Sequence, residues 1–204
     1  MREPDGRPNL RIITLASGKI RKPLPDGGPN FHPAWSPDGS RIVFGSFRSG
    51  NADIWVLSLA DSQLQQVTTD PESDHHPQWS PDGESVVFVS YRTGNADIWM
   101  ASLTDSSVRP LTNHPGMDEH PAFSPDGTKI AFTSDRSGER EIWIMPVDGG
   151  APVRLTETGG NGWPSWSPDG TKIAYSAESK GNSDLWIMTL SLGSLDAQTE
   201  RRKE

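Results

Sequence analysis

At 204 residues the chain is long enough for one domain with a real core, and only 32% of it is hydrophobic, so its eight tryptophans must supply much of the burial. A net charge of −8 argues against a nucleic-acid partner, because such binding rests on clustered Lys and Arg. With no cysteine there are no disulfides or thiolate metal sites, and no run approaches 18 apolar residues, so no membrane insertion is expected.

Residues 1–9 are polar, contain Pro4 and Pro8, and read as an irregular lead-in in which no signal peptide is visible. Residues 10–15 then alternate like a strand, a turn follows at Ala16, Ser17 and Gly18, and residues 20–24 return. This pair matches the second half of the units that follow and is a half blade, 10–24. The Pro-Asp-Gly sequences beginning at Pro4 and Pro25 read as ordinary turns.

The rest of the chain is built on the phrase Ser-Pro-Asp-Gly, which starts at Ser36, Ser80, Ser124 and Ser167. Each copy follows an aromatic residue, Trp35, Trp79, Phe123 and Trp166, at spacings of 44, 44 and 43 residues. Such a period marks an internal repeat. Serine suits the first position of a type I turn, proline pre-sets φ for the second and glycine suits the fourth, so each copy is a tight hairpin. In the first unit, strands are expected at 32–36, 41–46, 53–59 and 64–68. In the third of these, Trp55, Leu57 and Leu59 share one face by period-2 alternation. Four units of this kind span about 31–69, 75–113, 119–157 and 162–191. No apolar spacing of 3.6 persists, so helices are absent from the reading. Residues 193–204 read as a polar, frayed tail.

Four antiparallel strands in about 44 residues is the period of a β-propeller blade. The fold class is therefore all-β: four blades plus an N-terminal half blade within residues 10–192. The aromatic columns, Trp35/Trp79/Phe123/Trp166 and Trp55/Trp99/Trp143/Trp186, fill the space between blades. The strand count reaches 17, which is no multiple of four. An open arc is favoured; the alternative is a ring closed by residues 20–24 pairing beside 184–190.

The repeated His/Trp-Pro-x-Trp/Phe-Ser-Pro-Asp-Gly, followed by Ile-Ala-Phe or similar and by Asp-Ile-Trp, resembles the TolB-like class of propeller repeats, a WD40-like group. The resemblance covers about residues 10–191. It implies a binding scaffold in a periplasmic or other extracytoplasmic compartment. The same repeats occur in the propellers of prolyl-oligopeptidase-type peptidases and in sensor domains, and similar ones in lyases that act on pectin fragments with a histidine-held metal.

The second-to-third loops and the connections between units lie on one face of the disc, which is where function is expected. Its residues include Asp74, His75, His76, Asp118, Glu119, His120 and Trp163 near the channel mouth, and Arg48, Arg92 and Arg136 further out. His32, His76 and His120 form one repeat column, with Trp163 in the fourth place. Three imidazoles suit a divalent metal. Because the column repeats with the fold, the favoured reading is that each histidine packs beside its proline and bonds the neighbouring blade, well apart from the others. A second column, Asn30, Asp74, Asp118 and Asn161, precedes it by two residues. The arginines could hold a carboxylate, but pairing with Asp53, Asp97 and Glu141 to brace each loop is favoured. His75 and His114 fall outside the columns. No nucleophile elbow, cysteine or phosphate loop is present. The reading is a non-catalytic module without cofactor that binds a protein or peptide, with possible self-association through open propeller ends. The propeller part of a larger peptidase or sensor, and a metal-dependent lyase, are the alternatives.

Overall fold

The computed structural model describes residues 8–24, 28–179, 181–190 and 200–202, in which there are eighteen strands and no helix. The expected turns beginning at Pro4 and Pro25 lie outside the described residues.

β1 (Ile12–Thr14) and β2 (Lys19–Arg21) form an antiparallel pair. Four meanders follow, each with its strands in chain order. The first is β3 (Asn30–Trp35), β4 (Arg41–Ser46), β5 (Asp53–Ser58) and β6 (Leu64–Gln66). The second is β7 (Asp74–Trp79), β8 (Ser85–Ser90), β9 (Asp97–Ser102) and β10 (Val108–Pro110). The third is β11 (Asp118–Phe123), β12 (Lys129–Ser134), β13 (Glu141–Pro146) and β14 (Val153–Arg154). The fourth is β15 (Asn161–Trp166), β16 (Lys172–Ser179), β17 (Asn182–Thr189) and β18 (Glu200–Arg202). β18 pairs with β17, so part of the segment read as a frayed tail supplies the fourth strand of the last blade. Backbone pairing to an open edge needs no apolar pattern, which is why the charged sequence gave no sign of it.

Each Ser-Pro-Asp-Gly turn is closed by the glycine N–H donating to the serine carbonyl at 2.9 Å, in all four copies. The aspartate is a second clasp: in the third copy Ser124 Oγ donates to Asp126 Oδ1 at 2.5 Å, and Thr128 N donates to the same oxygen at 3.0 Å. These bonds to the charged form hold the Asp126 carboxyl down at about 2.

The second strand of each blade lies between two neighbours and is buried on both faces, so its sequence is apolar without alternation. Val43, Phe44, Val86, Phe88, Ile130 and Phe132 are all fully buried. The clusters they form cross from blade to blade. Val43, Ile54 and Val56 pack on Trp79, Val86 and Phe88, and Val87 and Ile98 pack on Ile130, Phe132 and Met145. Trp79 Nε1 donates to the carbonyl of Ala34, and Trp166 Nε1 to that of Ala122, each at 3.1 Å, locking inner strand to inner strand.

Backbone bonds place residues 8–24 as the outer half of a preceding blade. Asn30 N donates to Pro8 O at 3.0 Å, just as Asp74 N donates to Ala52 O and Asp118 N to Ala96 O, both at 2.8 Å. Leu10 and Leu24 pack with Ile42, Phe44 and Leu57. Among the described residues no inner strands stand beside β1, and Trp35, first of its column, is 54% exposed. Among the described residues no sheet closes the ring: β2 pairs with β1, β17 pairs with β16 and β18, and the fourth blade has no packing on the first comparable to that between consecutive blades. The alternative pairing of residues 20–24 beside 184–190 is not formed.

Candidate functional site

The channel mouth is made by one device used four times. In each inner strand the register slips by one residue, between Phe31 and Ala34, His75 and Gln78, Glu119 and Ala122, and Gly162 and Ser165. The first residue of each bulge adopts a left-handed backbone: His32 (φ 49), His76 (φ 49), His120 (φ 52) and Trp163 (φ 51). That conformation is uncommon for non-glycine residues, and bulges re-aim side chains.

The consequence corrects the expectation that these residues stand well apart. Their rings form one continuous stack. His32 lies on His76 with centroids 3.8 Å apart, His76 meets His120 edge-on at 4.7 Å, and His120 tilts against Trp163 at 4.4 Å. Nor does His120 bond a neighbouring blade through Nδ1, which is buried and without a hydrogen-bond partner. The inner rings are half-buried, whereas His32 is exposed and Trp163 is 60% exposed. The imidazoles stack instead of converging, and among the described residues no three His, Asp or Glu side chains are grouped to hold a metal ion.

Burial, reinforced by the neighbouring imidazoles, holds His76 down at about 3, and burial with the Arg140 charge holds His120 at about 4. His75 is lowered by burial, and His32, open on one side but covered on the other by the His76 ring, is lowered by that partial burial and then by the neighbouring His75. The sign follows from linkage. The unfolded chain takes up these protons near pH 6.5 while the folded chain resists, so stability falls as pH drops from about 6.5 toward 4. Urea midpoints measured across that range are expected to fall, with a shallower slope in His76→Phe, since the fourth blade already carries an aromatic at this position. An unchanged slope in the variant would contradict the stacked, neutral arrangement.

The arginine column also departs from expectation. Arg92 pairs with Asp74 at 3.1 Å and Arg136 with Asp118 at 2.6 Å, while Arg48 Nη2 donates to Asn30 Oδ1 at 3.1 Å. The partners are thus the column two residues before the histidines, not Asp53, Asp97 and Glu141. Those acids accept from the loops instead: Asp97 from His114 N at 3.2 Å, Glu141 from Gly159 N at 2.9 Å, and Asp53 from Ser49 Oγ. The arginines also stack over Trp55, Trp99 and Trp143, at 5.0, 4.4 and 5.1 Å. Packing decided this: a guanidinium lying on the third-strand tryptophan reaches inward, toward the buried inner-strand carboxylates. Burial raises the Asp74 carboxyl, against hydrogen bonds and the Arg92 charge that lower it.

Asp74 and Asp118 are fully buried and therefore hold the blade together. What the mouth presents is Trp163, His32, the half-buried His75 and Glu119, and the outer loops. His75 lies between Phe31 and Tyr91, at 5.7 and 5.8 Å. His114 is structural: its Nδ1 accepts from Gly116 N at 2.9 Å. Sequence reasoning passed over Arg140, which donates to Glu119 at 3.1 Å and lies beside His120 and Trp163 along a cavity of about 230 Å³. Its only signal was a position outside the arginine column.

These features define a β-propeller whose blades meet at an aromatic-lined channel. The family model of the TolB beta propeller domain matches residues 3–114 and 76–203, and the chain belongs to that family. TolB from Acinetobacter baumannii superposes with a TM-score of 0.81 at 27% identity, over 100% of this chain and 51% of its own. This chain thus spans about half the length of that relative. A protein described as TolB of Agrobacterium tumefaciens gives 0.78 at 26%, over 98% of this chain and 78% of its own. An oligogalacturonate lyase in complex with manganese gives 0.68 at 23%, over 88% and 53%, a likeness of fold alone. No curated protein matches the sequence.

Proposed function

We propose that this propeller is a non-catalytic module that binds a protein or peptide at the channel mouth, in an extracytoplasmic compartment. The observation that carries the reading is the ring stack ending in Trp163, a large aromatic held outward by a left-handed backbone and 60% exposed. Exposed aromatics surrounded by polar groups are the usual anchors of interfaces. The TolB propeller family supports the binding role and the compartment. The peptidase and lyase readings rest on fold alone, and fold does not give function. Affinity capture from the native extract tests the proposal with two baits, the native chain and Trp163→Asn, asparagine being tolerant of this backbone. A partner held by the native chain should be retained at least about tenfold less by the variant, the loss expected for an anchor residue. Equal retention would overturn the assignment of the mouth.

The open ends are a second surface. Trp35, Ile13 and Ile20 at one end and Leu185 at the other are each about half exposed or more. Unpaired edges and apolar patches favour association. Light scattering after size exclusion should show mass rising with concentration; a monomer across the whole range would contradict this.

A further inference from the structure

Three of the four blades carry the same internal cation, and register defines its seat. Ser46 pairs opposite Asp53, Ser90 opposite Asp97 and Ser134 opposite Glu141, and an arginine follows two residues after each serine. Each arginine lies over the third-strand tryptophan and donates Nε to the serine Oγ, at 3.0, 2.8 and 3.0 Å. Each also donates Nη2 to the buried Asn30, Asp74 or Asp118.

In the fourth blade Ala177 pairs opposite Asp184, and the position two residues on is Ser179. The strands continue there, Ser179 pairing with Asn182, where the other blades turn into a longer loop. No arginine is encoded at the seat, yet its other parts remain. Trp186 occupies the tryptophan position. Asn161 is 1% exposed, and its Nδ2 donates to Glu141 Oε2 at 2.7 Å and to Thr158 Oγ1 at 3.2 Å. Those two bonds fix the amide orientation and leave Oδ1 buried with no hydrogen-bond partner. Asn30 shows what that oxygen is for: with its Nδ2 likewise bound, to Asn9 Oδ1 at 2.8 Å, its Oδ1 accepts from Arg48. A buried acceptor left unmet is costly, which marks the site.

The approach is open and acidic. Asn161 and Trp163 line the cavity of about 230 Å³, and Glu139, Gly160 and Glu178 line both that cavity and one of about 550 Å³, to which Glu141 and Glu157 contribute. Among the described residues, the basic groups that line these cavities are engaged, Arg140 with Glu119 and Arg154 with Glu157.

We propose that the fourth blade takes from a protein partner the guanidinium that the other three blades supply from their own chain. An arginine side chain of the partner enters past Glu139 and Glu178, lies over Trp186 and donates to Asn161 Oδ1. A planar fork suits this seat better than a lysine ammonium, because it can stack and donate at once. The proposal rests on the protein-binding reading and names the chemistry of the partner.

The probe is N-acetyl-arginine amide, titrated into the folded chain while the indole N–H resonances are followed, that of Trp186 being assigned by its loss in Trp186→Phe. N-acetyl-citrulline amide, the same shape without charge, and N-acetyl-lysine amide are the controls. Expected are saturable shifts at Trp186 with arginine, binding at least about tenfold weaker with citrulline and weaker with lysine, in line with charge-assisted pairing. Glu178→Gln should weaken the arginine response several-fold. Ser179→Arg, which restores the internal cation, should abolish it while the chain stays folded. Equal responses to arginine and citrulline, no response at Trp186, or undiminished binding in Ser179→Arg would each overturn the proposal. If captured partner is still lost with Trp163→Asn while arginine gives no response, the seat alone fails and the channel-mouth reading stands.

Discussion

Replacing Arg136 with methionine is expected to cost about 3–5 kcal/mol in urea unfolding, the loss that follows when one partner of a buried ion pair is removed. Arg136 is 10% exposed and its partner Asp118 is fully buried, so the remaining carboxylate would keep its desolvation penalty with no cation to offset it. Methionine keeps the length of the stem but removes the guanidinium that lies over Trp143 and Phe132, so the single variant loses stacking as well as charge and the double variant is needed to separate the two. The double variant Arg136→Met with Asp118→Asn should regain much of the loss, because the neutral amide does not strand a charge. A single variant within about 1 kcal/mol of the native chain would show that the pair behaves like an exposed surface bridge, contrary to the burial described.

The second large effect is in the core between blades one and two. Phe88 is completely buried and packs in the cluster shared by Val43, Ile54, Val56 and Trp79. Phe88→Ala should cost about 3–5 kcal/mol, from lost transfer energy and an unfilled cavity. Trp99, on the next strand, is half-buried and lies against the same cluster. Its truncation should cost less than that of Phe88 despite its larger ring. The reverse order would mean that the third-strand tryptophans, and not the second-strand phenylalanines, carry the interblade core.

The blades were legible because the repeat supplies its own controls. Ser-Pro-Asp-Gly fixes one turn by chemistry that works locally, and its recurrence after Trp35, Trp79, Phe123 and Trp166 fixes the phase of every strand between. Less could be read where geometry depends on partners distant in sequence. The strand at Glu200–Arg202 has no apolar alternation and forms by edge pairing. The histidine column was visible, but its stacking was not, because it depends on a left-handed backbone at a bulge that no residue type announces. Histidine is among the non-glycine residues that tolerate such a backbone, but Trp163 takes the same conformation in the fourth blade, so the bulge is set by strand register and not by residue type. The arginine column was also visible. Its partners were misassigned because Asp53 is five residues from Arg48, whereas the partners of Arg92 and Arg136 lie 18 residues back, across the sheet. The unmet amide oxygen of Asn161 could not be read at all, because it depends on how its Nδ2 is bound by Glu141 and Thr158 across the blade boundary.

The measurement that tests the central claim most directly is photo-crosslinking from two positions on opposite faces. A photoreactive residue at Glu119 sits at the channel mouth, and one at Asp105 sits on the exposed turn between the third and fourth strands of the second blade. In native extract, the Glu119 position is expected to yield a discrete crosslinked protein that Trp163→Asn abolishes, and the Asp105 position none. A crosslink from Asp105 that is absent from Glu119, or one from Glu119 that Trp163→Asn leaves intact, would contradict the account.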